Sequence, residues 1–294
     1  MKKAVTTPTQ SPATPIGENT VLTITIPKSL HQPKYKETLA RVAKRMSVPG
    51  FRKGKAPTNL VQSQLDPTAI LNDVLEALIP DLYTQAVTKA NIDPLVYPQV
   101  KIVSVEPEQD WIVEAHTAIA PVVTLGDWEK VIKQAGKDHK KHEESPDHKH
   151  DDAHPHDHDQ ELLSAIFGKL IEAVNPKIAP ILLEQEVKHQ IEDFARQLAS
   201  HKMELEAYLL STGKTVETLQ QDYTLSSLAN LQIEFILREI TPLLKLSIDS
   251  KDIEKILGSD LSKYPKDTLE KIQAEAHAVA LRRKTIEKLK ELAA

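Results

Sequence analysis

Gly50-Phe51-Arg52-Lys53-Gly54-Lys55-Ala56-Pro57 is the stretch from which the rest of this chain can be read. It holds two of the eight glycines and, in Phe51, the first of the four phenylalanines. Glycine near both ends admits a backbone with φ > 0 and a tight reversal. Pro57 sets the exit and can open a helix over Thr58 to Gln64. Phe51 is the most apolar side chain of a polar loop and stands beside Arg52 and Lys53. An aromatic flanked by cations on a rigid tip suits docking to a partner. The same residues also fit a solvated turn whose Phe51 folds back onto its own domain.

The octet resembles the ribosome-docking loop of the trigger factor family, bacterial chaperones that meet nascent chains at the exit tunnel. The family pattern Gly-Phe-Arg-x-Gly-Lys-x-Pro is met by Gly50, Phe51, Arg52, Gly54, Lys55 and Pro57. The resemblance implies ribosome binding through Gly50, Phe51, Arg52, Lys53, Gly54 and Lys55. Phe51, Arg52 and Lys53 would form the tip that contacts a protein of the large subunit.

Outward from the loop, Lys28 to Lys55 carries Lys28, Lys34, Lys36, Arg41, Lys44, Arg45, Arg52, Lys53 and Lys55 against Glu37 alone. An excess of this kind suits a polyanion such as rRNA, although a solvated basic helix face has the same composition. The whole chain is acidic, with a net charge of −5, so it does not read as a protein that coats nucleic acid generally. Its 294 residues allow two or three domains with their own cores. There is no cysteine, which excludes disulfides, thiolate nucleophiles and Cys-based zinc sites and agrees with a reducing cytoplasm. Met1-Lys2-Lys3 is followed by Thr, Pro, Gln and Ser rather than an apolar run, so no signal peptide is expected. No apolar run of about 18 residues exists, so no membrane span is expected.

Residues 1–18, rich in Thr and Pro, read as a disordered extension. Leu22, Ile24 and Ile26 alternate with Val21, Thr23 and Thr25, which predicts a half-buried strand over Thr20 to Ile26. A helix follows Pro33, with Tyr35, Leu39, Val42 and Met46 on one stripe. Asp66-Pro67 caps another helix, carrying Ile70, Leu71, Val74, Leu75, Leu78 and Ile79, which Pro80 should kink or divide before Leu82 to Ala90. Leu95 to Ser104 and Trp111 to Ala120 read as strands. The order predicts a small α+β domain over 19–134, and it is similar to the family's ribosome-binding domain.

Residues 135–160 read as a flexible linker rich in His and Asp, whose coiled ends would lie about 25–30 Å apart and set the reach between domains. Seven of the twelve histidines fall here. His148, His150, His154, His156 and His158 are the candidate ligands for Zn²⁺ or Ni²⁺, although no fixed spacing or scaffold preorganises them. Trigger factors carry a prolyl isomerase domain similar to the FK506-binding proteins at this position. This stretch lacks the aromatic-lined sheet such an activity needs, so isomerase activity is expected to be absent.

From 161 to 294 the pattern is helical, in five or six helices. Stripes run through Leu163, Ile166, Phe167 and Leu170, then Leu182 or Leu183, Val187, Ile191, Phe194 and Leu198, and Ser211-Thr212-Gly213 reads as a C-cap. The arrangement resembles the elongated, armed C-terminal domain of the family, a cradle for unfolded chains, with Ile178 to Glu186 similar to the start of its first arm. Phe194, Met203 and Tyr208 fit either client contact or ordinary packing. No phosphate loop, metal-binding His-Glu-x-x-His helix or nucleophile elbow is present.

The expectation is therefore an α+β N-terminal domain followed by an all-α elongated domain, acting as an ATP-independent holdase in the cytoplasm. The implied partners are the large ribosomal subunit, protein and rRNA, and nascent or unfolded polypeptides, with homodimerisation as in family members. Cofactors are expected to be none, unless the histidines bind metal. The alternatives are a metal-binding or metal-sensing protein acting through the histidines, and a ribosome-binding factor without chaperone activity.

Overall fold

The computed structural model describes residues 16–52, 54, 57–64, 67–143, 155–257 and 266–294. The chain divides into two compact units, Asn19–Ala120 and a second one built from Pro121–Ala294 with the segment before Asn19.

The first unit starts with strand β1 (Thr20–Ile26), whose alternation does what the sequence predicts: Ile24 and Ile26 are buried while Val21, Thr23 and Thr25 are exposed. Helix α1 (Lys28–Arg45), α2 (Thr58–Gln64) and α3 (Pro67–Ala90) follow, then β2 (Gln99–Ser104) and β3 (Trp111–Thr117). The sheet is antiparallel in the order β1-β3-β2, with Ile24 opposite Val113 and Ile26 opposite Trp111. Its apolar face (Ile24, Ile26, Trp111, Val113, Ala115) packs on Leu39 of α1 and on Ile70, Val74, Leu75 and Ile79 of α3.

Four local expectations give way to packing here. Helix α1 begins at Lys28, five residues before Pro33, and runs through that proline. Two contacts hold its first turns: the Lys28 backbone N–H donates to Asp110 Oδ1 at 2.8 Å, and buried His31 stacks on Trp111 with ring centroids 4.0 Å apart. Asp110 is a cap supplied from 82 residues away, which no local pattern announces. Likewise α3 is not divided at Pro80, because Ile79, Leu78, Leu82, Tyr83 and Ala86 on both sides pack into one core. Finally, β2 starts only at Gln99 and β3 ends at Thr117. Beyond those limits the chain is held by single contacts, including the Leu95 N–H to the Ala118 carbonyl at 2.8 Å.

The second unit holds α4 (Trp128–Glu143), α5 (Pro155–Val174), α6 (Pro180–Ser200), α7 (Leu205–Thr212), α8 (Val216–Leu243), α9 (Ser250–Leu257) and α10 (Lys266–Ala293). Its main core joins Trp128, Ile132 and Ala135 of α4, Ile166 and Leu170 of α5, Ile233, Ile236, Leu237 and Ile240 of α8, and Leu289 and Ala293 of α10. This corrects the linker expected over 135–160. Helix α4 extends to Glu143 and α5 begins at Pro155, so the histidine-rich stretch connects two helices of one core and cannot set a reach between domains. It also moves the end of the α+β unit from 134 to Ala120, because the stripe Trp128, Ile132 and Ala135 is buried among helices. Residues 144–154 lie outside the described residues.

Ile16, expected within a disordered extension, instead forms a parallel bridge with Ile178, and the Gly17 N–H donates to the Ile178 carbonyl at 2.8 Å. Residues 1–15 lie outside the described residues. Helix α7 ends as read, at Gly213 with φ 67°. Helix α8 begins at Val216, where Thr215 and Thr218 form a reciprocal capping box.

Helix α9 is tethered to α10 by Asp252 and Lys284, 2.6 Å apart, and the Lys284 ammonium also donates to the Ser247 carbonyl at 2.9 Å. The Lys284 hydrogen bond holds the Asp252 carboxyl below its ordinary range, and the same bond raises Lys284. A lowered carboxylate contributes stability above its unfolded value, about 4, and loses it as pH falls through the lowered one. The raised lysine contributes below its unfolded value, about 10.4, and loses its share as pH rises through the raised one. Amide exchange in α9, taken relative to the rate of an unstructured chain at the same pH, should therefore be slowest between these limits and accelerate at pH 3. Asp252→Asn should accelerate it at neutral pH and remove the acid-side dependence. Unchanged exchange in that variant would refute the tether.

Candidate functional site

The loop between α1 and α2 is shaped by its glycines. The Phe51 N–H donates to the Val48 carbonyl at 3.0 Å, with Pro49 and Gly50 between them and Gly50 at φ 85°. Proline followed by a left-handed glycine is the signature of a type II turn, a signal present in Val48-Pro49-Gly50-Phe51 that the octet alone misses. The Gly54 N–H then donates to the Met46 carbonyl at 3.2 Å and closes the excursion. Gly54 has φ 73°, and a Cβ there would lie 2.7 Å from the Lys44 carbonyl oxygen. No side chain fits that approach. Val48 is buried and pins the incoming limb, whereas Phe51 at the tip is 42% exposed.

Phe51 thus does not fold back into a core. It stands beside exposed Arg52 on a turn whose limbs are fixed to the end of α1. Lys53 and Lys55, the remaining predicted docking cations, lie outside the described residues.

The basic stretch separates into two parts. Lys28 pairs with Glu108 at 2.6 Å, Lys34 with Glu37 at 3.1 Å and Arg41 with Asp73 at 3.0 Å. The hydrogen bond from Lys28 holds the Glu108 carboxyl below its ordinary range. Lys44 and Arg45, in the last turn of α1, and Arg52 at the tip have no carboxylate within ion-pair distance among the described residues. Uncompensated positive charge is therefore concentrated where the aromatic is exposed. Such a surface can meet an anionic partner by long-range attraction and seat one apolar anchor.

The predicted metal candidates are not gathered into a site among the described residues: no group of three His, Asp or Glu side chains converges there. His148, His150 and His154 lie outside the described residues, and His156 and His158 occupy the first turn of α5.

In the helical unit, Phe194 packs edge-on against Tyr208, centroids 4.9 Å apart, and lies 5.7 Å from Tyr223. Those aromatics hold α6, α7 and α8 together. The exposed apolar groups nearby are others: Met203, Leu205, Val216, Leu225 and Leu210, the last 86% exposed.

Two family models account for the chain. One, described as bacterial trigger factor protein, matches residues 12–148, and its C-terminal counterpart matches residues 151–293. The chain belongs to the trigger factor family. Curated trigger factors of Listeria welshimeri and Listeria innocua are each 41% identical over 103 residues, 34% of this chain and 24% of theirs. That of Staphylococcus aureus is 33% identical over 112 residues, 38% of this chain and 26% of its own. The chain thus spans about a quarter of the length of these curated relatives. A solved structure described as "Promiscuous Substrate Recognition in Folding and Assembly Activities of the Trigger Factor Chaperone" superposes with a TM-score of 0.56. The superposition covers 94% of this chain and 97% of that one, and at 14% identity it shows a shared fold. No helix among the described residues is long and apolar enough to cross a membrane.

Proposed function

We propose that this trigger factor is an ATP-independent holdase of the cytoplasm that docks on the large ribosomal subunit and shields emerging or unfolded chains. The observation that carries the reading is the loop: an exposed phenylalanine and arginine on a turn made rigid by two left-handed glycines, beside cations that have no acidic partner among the described residues. Phe51 supplies the apolar anchor, while Arg52, Lys53 and Lys55 face ribosomal protein and rRNA phosphates. Gly50 and Gly54 hold the tip in shape. Client contact falls to the exposed apolar groups around α7, chiefly Met203, Leu205 and Leu210, which offer scattered area without a fixed shape. With no nucleotide involved, release depends on weak affinity and mass action.

The two family matches leave only residues 149 and 150 between them, which supports the absence of a prolyl isomerase domain. A proline-containing tetrapeptide should accordingly isomerise at its uncatalysed rate in the presence of the protein.

The deciding experiment is co-sedimentation with ribosomes. Wild type should pellet, and Phe51→Ala/Arg52→Ala/Lys53→Ala should dock on the order of 1,000-fold more weakly, as expected for loss of two hot-spot side chains of about 2 kcal/mol each. Equal pelleting of both forms would assign the affinity to the wider basic face of α1. Pelleting of neither would refute ribosome docking.

A further inference from the structure

The first unit holds a cavity of about 460 Å³, lined from α1, the start of α3 and the β2–β3 connection and away from the described residues of the docking loop. Helix α1 supplies its side in two rows. His31, Tyr35 and Leu39 recur every four residues and share one face, while Gln32 and Lys36, one position on, form the row nearer solvent. Leu71 of α3, Val105 and Pro107 of the connection and Trp111 supply further apolar lining. Tyr35, Leu71 and Val105 pack on the core of the unit yet stay only partly buried, so an apolar wall is left open to the cavity.

These walls are fixed by the fold itself. The connection is latched to the first turns of α1 where the Lys28 N–H donates to Asp110 and His31 to the Gln109 carbonyl, and the Trp111 indole N–H is held by the Glu106 carbonyl. A preformed apolar concavity with a few unused polar groups is the general form of a small-molecule site. The unused groups here are the Gln32 amide, the Tyr35 hydroxyl and the Lys36 ammonium, none of which holds a hydrogen bond or ion pair among the described residues. The charge at the mouth then selects the ligand. Lys36 and Glu108 line the cavity, but the Glu108 carboxylate is bonded by Lys28 at 2.6 Å, and Lys36 only adds to its field. Two ammoniums against one carboxylate leave one positive charge, and the free donors are those of Lys36. That balance favours a monoanion with an apolar body.

We propose that this cavity binds a small apolar carboxylate, its body against Tyr35, Leu39, Leu71 and Val105 and its charge at Lys36. A carboxylate accepts from an ammonium, an amide N–H and a phenol together, so Gln32 and Tyr35 add directional bonds to the charge. A neutral apolar molecule leaves the Lys36 charge unanswered, and an apolar cation is repelled by it. Because the ligand touches α1, α3 and the connection at once, it stabilises the first unit by mass action and raises its melting temperature.

The test is calorimetric titration of the full chain with 2-naphthoate and with 2-naphthamide, which has the same body and no charge, together with NMR of the indole N–H groups. The chain has two tryptophans, and of these Trp111 lines the cavity while Trp128 belongs to the core of the other unit, so Trp111→Phe identifies the reporting resonance. Wild type should bind one naphthoate per chain with submillimolar affinity, shifting the Trp111 resonance and leaving that of Trp128 in place. The amide should bind about 5–10-fold more weakly, and Lys36→Met should weaken naphthoate by the same factor without affecting the amide, a modest loss because the cation is exposed. Val105→Phe should fill the cavity and lose both ligands. If that variant does not fold, Lys36→Met, at an exposed position, still decides. No submillimolar uptake, a shift of Trp128 without Trp111, equal affinity for acid and amide, or wild-type affinity in Lys36→Met would each overturn the proposal.

Discussion

Trp111→Ala should destabilise the first unit by about 3–5 kcal/mol, the range for removing a fully packed large aromatic. Trp111 is 4% exposed, and three attachments converge on it. Its ring stacks on His31 at an interplanar angle of 12°, its indole N–H donates to the Glu106 carbonyl at 3.1 Å, and its backbone pairs with Ile26 at the end of the sheet. His31 is itself held by its Nε2, 2.8 Å from the Gln109 carbonyl, where the imidazole donates. Removing the indole opens a cavity beneath the first turns of α1 and frees the helix whose far end carries the docking loop. For a domain of this size, about 4–8 °C of melting temperature follows each kcal/mol, so the shift should exceed about 12 °C. Trp111→Phe keeps the stack and loses the N–H bond, and should cost about 0.5–1.5 kcal/mol beyond the smaller ring's lost contacts. Thermal melting of both variants provides the check. A cost below about 1 kcal/mol for the alanine variant would show that the sheet, rather than this stack, anchors α1.

Gly54→Ala should abolish ribosome docking nearly as well as truncating the tip, while leaving the core intact. Two penalties coincide at this position. An L-residue at φ 73° costs about 1–2 kcal/mol, and the new Cβ would lie 2.7 Å from the Lys44 carbonyl oxygen, a backbone atom that cannot swing aside. The loop must then leave its closure on Met46, and Phe51 and Arg52 lose their fixed presentation. Gly50→Ala is the internal control. It shares the positive φ, at 85°, but meets nothing within 4 Å, so it should incur only the conformational cost and weaken docking by about 10-fold or less. Co-sedimentation of the two variants beside wild type measures the difference. Equal behaviour would mean that the close approach at Lys44 does not shape the tip.

The difference between these glycines marks the limit of what the octet could tell. Both were legible as left-handed candidates from glycine's placement in a polar loop. Which of them also carries a steric constraint depends on the end of α1 lying beneath Gly54, and that is a property of packing. The basic stretch behaves similarly. Nine cations can be counted in the sequence, but their division into paired residues early in α1 and uncompensated ones beside the tip depends on Glu108 and Asp73, far along the chain.

Several features were determined by local sequence alone. Alternation placed β1 to the residue, and Gly213 ended α7 in a left-handed cap. Each follows from a φ preference or a periodicity that one segment carries by itself. Tertiary structure decided the rest. It carried α1 through Pro33 and α3 through Pro80, because burial on a shared core offsets a helix cost of about 3 kcal/mol for an internal proline. It also assigned α4 to the helical unit and turned the two ends of an expected linker into facing helices. The polar composition of 136–160 conceals that change, because the partners that order these turns, Ala293 against Gly136 and Lys290 against Asp159, come from the last helix of the chain. Local rules read backbone preference, whereas the energy that overrides them comes from contacts between residues far apart in sequence.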